Sequence, residues 1–202
     1  MDKAAKRLAV IYVILLSLCA PLMAVHFELF TWFMGVVDMS YWTQTVLWFL
    51  PMLVYGGILV VLGIWNMVKS FQIYKRQDMI GCINGMLIHK YGLVIFFCVN
   101  FIVLFLVYFM LTFGLVMGTR GLALLIAPVW LPFVLIMIGW SIVMSWLAIL
   151  PGSIYSIQVI RGSVRTGKIS GGAAVLHGIL QFLFLADVLD AMYLAAGKWG
   201  RG

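Results

Sequence analysis

Long apolar stretches separated by short polar interruptions make up the chain from end to end. A transmembrane helix needs about 20 consecutive apolar residues, because a helix rises about 1.5 Å per residue and the hydrocarbon core of a bilayer is about 30 Å thick. Four stretches are of this kind, and they cover residues 8–25, 45–68, 91–117 and 132–150. The pattern therefore predicts an all-α fold, a polytopic transmembrane helix bundle, in which residues 1–202 form a single integral membrane domain.

Two prolines, Pro128 and Pro132, lie about one helical turn apart near the start of the fourth stretch. Each removes a backbone N–H donor and disfavours a straight helix. Two interpretations stay open here. Either residues 122–131 form a separate interfacial piece before a span that begins at Pro132, or one long helix kinks at the prolines. The pair Pro151 and Gly152 predicts the end of the span.

The last apolar stretch, residues 172–196, is interrupted by four polar side chains, His177, Gln181, Asp187 and Asp190. A central Asp costs about 2.5–3.5 kcal/mol on the insertion scale, whereas each Leu, Ile, Phe or Val returns about 0.3–0.6 kcal/mol. The stretch therefore needs neighbouring helices, and we expect it to be a fifth amphipathic or buried helix. Whether it crosses stays open, because a crossing puts three of the 13 Lys and Arg residues outside and a returning or flat helix only one.

The composition narrows the class of protein. Hydrophobic residues make up 65% of the chain and charged residues 9%, whereas soluble proteins contain about 25% charged residues. This difference excludes a soluble globular fold, a disordered chain and a soluble coiled coil. The net charge of +7 is typical of a membrane protein whose basic loops stay in the cytoplasm, so we expect no nucleic-acid partner.

The positions of the basic residues predict the orientation. Lys3, Lys6 and Arg7 precede the first stretch in the layout of a signal peptide, and we expect a retained first transmembrane helix with a cytoplasmic N-terminus. Residues 26–44 contain no Lys or Arg and are predicted to form an external loop. Residues 69–90 are predicted to form a cytoplasmic loop or a short amphipathic helix that lies on anionic lipid. Seven side chains on the cytoplasmic side are candidates for contacts with lipid phosphates: Lys69, Lys75, Arg76, Lys90, Arg161, Arg165 and Lys168.

The four polar residues of the last stretch are the main candidates for a functional site. On a continuous helix His177 and Gln181 share a face, about 40° apart, and Asp190 lies about 140° from His177. Ionisable residues inside a membrane suggest a function by default, here a path for protons or ions. The alternative, which we favour, is that these side chains lock helix packing through hydrogen bonds or face water on an interfacial helix.

Residues 162–168 match the spacing of a phosphate-binding loop, G-x-x-x-x-G-K. Ile169 stands where that loop needs Ser or Thr, and a membrane helix precedes the motif instead of a strand. We therefore interpret the segment as a flexible basic loop next to lipid phosphates. No other catalytic, cofactor-binding or metal-binding motif is recognisable in the sequence, and we expect no cofactor.

Two features of the third stretch predict contacts between helices. Asn100 is the only strongly polar residue in it, and such a residue usually forms a hydrogen bond to another helix. Gly114 and Gly118 form a G-x-x-x-G pair, which allows two helices to approach closely.

Four short motifs resemble segments of small multi-pass proteins of Gram-positive gut bacteria, an uncharacterised grouping. The motifs are HKYGLV at residues 89–94, GKIS at 167–170, LHGILQF at 176–182 and DVLD at 187–190. The resemblance implies a bacterial-type plasma membrane and transfers no activity.

The sequence favours a non-enzymatic function. Minimal loops leave helix faces as the surfaces for partners, so we expect a subunit or accessory protein of a membrane complex that contacts membrane lipids and other membrane chains. The alternative is a small homo-oligomeric channel or carrier in which the polar residues of the last stretch line a path.

Overall fold

The computed structural model describes residues 3–125, 127–183 and 186–196, and the regular secondary structure of these residues is entirely helical. The long helices are α1 (Lys3–Val36), α2 (Tyr41–Lys75), α3 (Met79–Gly118) and α4 (Ala127–Arg165). A short 3-10 helix, Leu122–Leu124, lies between α3 and α4, and α5 (Gly171–Leu180) and α6 (Ala186–Ala196) follow. The prediction of an all-α transmembrane bundle is confirmed, because all four long helices contain a segment apolar enough to span a membrane.

The loop predicted at residues 26–44 is wrong. Helix α1 continues to Val36, and α2 begins at Tyr41. Ser40 starts α2 as its N-cap, and its hydroxyl accepts a hydrogen bond from the Thr43 N–H. The absence of Lys and Arg from residues 26–44 therefore does not indicate where a helix ends.

The loop predicted at residues 69–90 is also wrong, since only a tight turn joins α2 to α3. Helix α2 runs to Lys75 and α3 begins at Met79. The Asp78 carboxylate accepts a hydrogen bond of 2.7 Å from the Gly81 N–H and thereby caps α3. The polar residues here belong to both helices. Polar residues end the part of a helix that can lie in lipid, but the helix itself continues into water.

Helix α4 is continuous through its prolines. It contains Pro132 and Pro151 and extends to Arg165, so the prediction that Pro151 and Gly152 end the helix is wrong. Each of the two interpretations holds in part: residues 122–124 form a separate short 3-10 helix, and one long helix runs through both Pro128 and Pro132. Pro128 lies in the first turn, where a missing N–H leaves no hydrogen bond unmade.

The last stretch is not one crossing helix, and the expectation of a fifth buried helix over residues 172–196 is wrong. Helices α5 and α6 have 10 and 11 residues, and each is therefore about 15 Å long, half of what a crossing needs. Both pack on α4, and α6 also packs on α3. We call the end of the bundle where α2 and α4 finish the basic end, and α5 and α6 lie there.

Packing differs between the two halves of the bundle. The buried residues of α1 lie between Ala5 and Leu16, and those of α2 between Gly63 and Ile73. We call this part the basic half, and its cores also contain residues from α3, α4, α5 and α6. In the other half, the apolar half, most described side chains are exposed. Lipid tails supply no hydrophobic force that drives helices together, so an exposed apolar surface is stable there.

Three glycines hold α3 and α4 close together. Each glycine lies against a large side chain of the other helix: Gly85 against Tyr155, Gly152 against His89, and Gly162 against Met79. From one pair to the next, the position on α4 increases by the same number of residues as the position on α3 decreases, with a difference of at most one. The two helices are therefore antiparallel and keep a constant register. A larger side chain at these positions would push the helices apart.

Replacing Gly85 with alanine is expected to lower the free energy of unfolding by about 1–3 kcal/mol, the usual effect of overpacking a core. The new methyl group would overlap the Tyr155 ring, which is fully buried and stacked on His89. The matched control is Gly57→Ala on α2, where an added Cβ meets no atom within 4 Å. Unfolding in detergent by a denaturant titration measures both, and equal effects of the two substitutions would contradict the packing argument.

Candidate functional site

A buried ion pair joins α3 to α6. The Lys90 ammonium donates a hydrogen bond of 2.7 Å to the Asp187 carboxylate, and the two side chains are only 1% and 6% exposed. Lys90 also donates to the Ser153 hydroxyl of α4 at 3.3 Å. A charge buried to this degree is stable only with a charged partner and further hydrogen bonds, and Lys90 has both.

A second polar group joins α5 to α6 around Asp190. One carboxylate oxygen lies 2.5 Å from His177 Nδ1, and the other accepts a hydrogen bond from the Gln181 amide. The ring of His177 stacks on Tyr193 at 5.6 Å between centroids. One carboxylate therefore holds two polar side chains of α5 and fixes the angle between the two short helices.

Ser153 connects the two polar groups. Its hydroxyl donates to the backbone carbonyl of Gln181 at 2.8 Å while its oxygen accepts from Lys90. The network thus runs from α3 through α4 to the end of α5 and the first turns of α6. These residues together form the polar cluster: Lys90, Ser153, His177, Gln181, Asp187 and Asp190.

The break between α5 and α6 creates this geometry. Helix α5 starts at the N-cap Ser170 and gives way to a turn at Gln181. Helix α5 therefore ends before α6 begins, and Asp190 of α6 meets His177 of α5 although the two are 13 residues apart. The helical-wheel prediction, which separated them by about 140° on one continuous helix, is wrong for that reason.

Of the seven candidate lipid contacts, Lys90 needs correction. It is buried inside the polar cluster and does not face a lipid phosphate. Residues of α4 and α6 enclose it, a feature that charge counting alone does not reveal. The other six basic residues lie at the basic end, and the guanidinium of Arg161 stacks over the Tyr74 ring at 5.4 Å.

The phosphate-loop spacing at residues 162–168 has no loop geometry. Its first residues belong to α4, where the Ser163 hydroxyl donates to the Val159 carbonyl. The helix then ends in a turn, in which Gly167 has a φ of 69° and the Lys168 N–H donates to the Ser163 carbonyl. These backbone groups serve a helix C-terminus, so they do not surround an anion.

Two further polar sites lie elsewhere in the bundle, where α4 faces α2 and α3. The predicted contact of Asn100 is confirmed, because its amide donates to the Ser145 hydroxyl on α4 at 3.4 Å. The sequence analysis missed the second, a set of buried polar residues in the basic half: Asn66, Ser70, His89, Tyr155 and Gln158. Their spacing along α2 and α4, three or four residues apart, was the available signal.

The polar cluster has the chemistry that a structural lock between helices would need. Both carboxylates already have partners, and within the described residues no group of three His, Cys, Asp or Glu side chains could hold a metal ion. Such an arrangement neutralises charge and holds helices together.

A family model matches residues 3–201 of the chain, and its description is a family of unknown function, DUF6652. No curated protein and no solved structure matches the chain. The family match agrees with an uncharacterised grouping and brings no activity with it.

Proposed function

Since the chain belongs to the DUF6652 family, whose function is unknown, we propose from its geometry that it is a non-enzymatic subunit or accessory protein of a membrane complex. The observation that carries this proposal is the buried ion pair between Lys90 and Asp187. An ion path through these two side chains would need them to exchange partners with a moving ion. Here the charges are paired with one another and tie α6 to the bundle.

The apolar half supplies the surface for association. On α3 the rings of four phenylalanines stack in a row along the helix, with centroids 5.3 to 6.2 Å apart, and all four are exposed: Phe101, Phe105, Phe109 and Phe113. Close to this row, a Cβ built at Gly114 or Gly118 meets no described atom within 4 Å. Glycines that meet none of the described atoms within 4 Å suit the close approach of another transmembrane helix.

The orientation that fits this function places the basic end in the cytoplasm of a bacterial-type cell. Four crossings bring α5 and α6 to the same side as the start of α1. The positive-inside rule then assigns the basic end to the cytoplasmic face. Six basic residues would contact anionic headgroups there: Lys69, Lys75, Arg76, Arg161, Arg165 and Lys168.

Native mass spectrometry of the protein, extracted gently from its own membrane, tests the proposal. For the unmodified protein we expect a stable complex with a different membrane chain. The double substitution Gly114→Leu with Gly118→Leu is expected to abolish binding of that chain while α1 to α6 stay folded. The matched control is Gly56→Leu with Gly57→Leu on α2, where an added Cβ also meets no described atom within 4 Å. A monomer that carries only lipid contradicts the proposal, and a closed ring of identical chains supports the alternative, a small channel or carrier.

A further inference from the structure

Two contacts fix how α2 and α4 lie side by side in the basic half. A Cβ built at Gly63 lies 3.7 Å from Pro151, and Tyr74 stacks under the Arg161 guanidinium at 5.4 Å. From the first contact to the second, both helices advance by the same number of residues to within one. The helices are therefore parallel here and in constant register.

This register brings four buried polar residues to matching heights. Ser70 lies seven residues after Gly63 on α2, and Gln158 lies seven residues after Pro151 on α4. Asn66 and Tyr155 are about one helical turn closer to the contact between Gly63 and Pro151. Asn66 and Ser70 belong to the same buried face of α2 as Gly63. We call the four residues the polar seam: Asn66, Ser70, Tyr155 and Gln158.

All members of the polar seam are fully buried and incompletely bonded. Among the described residues, no hydrogen-bond partner exists for the Ser70 hydroxyl, the Tyr155 hydroxyl, either amide atom of Gln158, or the Asn66 carbonyl oxygen. Buried polar atoms are almost always satisfied, by protein or by ordered water. Five such atoms, on residues that span about one turn of two neighbouring helices, therefore point to a bound polar ligand.

We propose that the polar seam is a binding site for a short chain of water molecules. The seam holds both donors and acceptors, which is what a water molecule needs from its surroundings. Its four side chains are hydroxyls and carboxamides with no carboxylate among them, so nothing in the seam balances the charge of a metal ion. The site is separate from the polar cluster and does not depend on the proposed function.

Two buried serines of equal size provide a matched test by thermal unfolding. Ser70 belongs to the seam, whereas Ser156 donates to the Gly152 carbonyl of its own helix at 3.1 Å. If Ser70 binds water, Ser70→Ala removes a hydrogen bond and lowers the midpoint by about 2–4 °C. Ser156→Ala is expected to change it little, because a serine bond to the carbonyl four residues back in its own helix does not stabilise that helix. In a dry seam, Ser70→Ala relieves an unpaired hydroxyl, and an unchanged or raised midpoint overturns the proposal.

Radiolytic labelling of the unmodified protein in ¹⁸O-water tests the site directly. Hydroxyl radicals formed from bound water oxidise the side chains beside it, so Tyr155 is expected to gain ¹⁸O several-fold faster than Phe96. Phe96 is a suitable control because it is also buried but belongs to an apolar core. Equal labelling of the two rings overturns the proposal.

Discussion

Lys90→Met is expected to lower the free energy of unfolding by about 3–5 kcal/mol, because it leaves the carboxylate of Asp187 buried without a counter-charge. Both side chains are almost fully enclosed, so water cannot replace the lost partner. The substitution also removes the hydrogen bond from Lys90 to Ser153. A loss of this size exceeds the effect of most single substitutions.

A double-mutant cycle shows whether the pair itself causes the loss. Lys90→Met with Asp187→Leu removes both charges and is expected to recover most of the stability, since apolar pairs often replace buried ion pairs without cost. Lys75→Met at the exposed end of α2 is the control, with an expected change within about 0.5 kcal/mol. Denaturant titration in detergent measures the four proteins of the cycle, which include Asp187→Leu alone, and the Lys75→Met control. A double variant no more stable than Lys90→Met would contradict the assigned role of the pair.

The helical fold and the four spans could be predicted because lipid imposes a simple rule. A segment such as residues 91–117 must be helical to satisfy its backbone hydrogen bonds in a bilayer. The ends of the helices could not be found in the same way, because polar residues end the apolar pattern without ending the helix. Residues 69–90 show this, as they belong almost entirely to α2 and α3.

The sequence identified most residues of the polar cluster but did not predict which of them contact one another. The cost of burying Asp187 and Asp190 pointed to the need for partners, and the partners are present. Two of them could not be inferred, since Lys90 is distant in the sequence and the contact of His177 with Asp190 depends on the end of α5 at Leu180. The sequence has no signal for that helix end, because the apolar pattern continues past it.

Asp190→Ala is expected to release α5 and α6 from each other at a cost of about 3 kcal/mol. The carboxylate binds His177 and Gln181 at once, and hydrogen bonds to a charged group contribute about 1.5–3 kcal/mol each. The His177 side chain is partly exposed, so a hydrogen bond to water offsets part of the lost free energy. The effect is local, because α3 and α4 keep their own contact through Gly85 and Gly152.

Amide hydrogen exchange measures this release helix by helix. Exchange in α5 and α6 is expected to rise about a hundredfold, as 1.4 kcal/mol corresponds to a factor of ten, with α3 and α4 unchanged. Asp38→Ala, at an exposed carboxylate between α1 and α2, serves as the control and should alter neither. A path for ions through Asp190 predicts the opposite separation: conductance falls on substitution while exchange in α5 and α6 stays as it was. The two roles of the same carboxylate are therefore distinguished by one variant and two measurements.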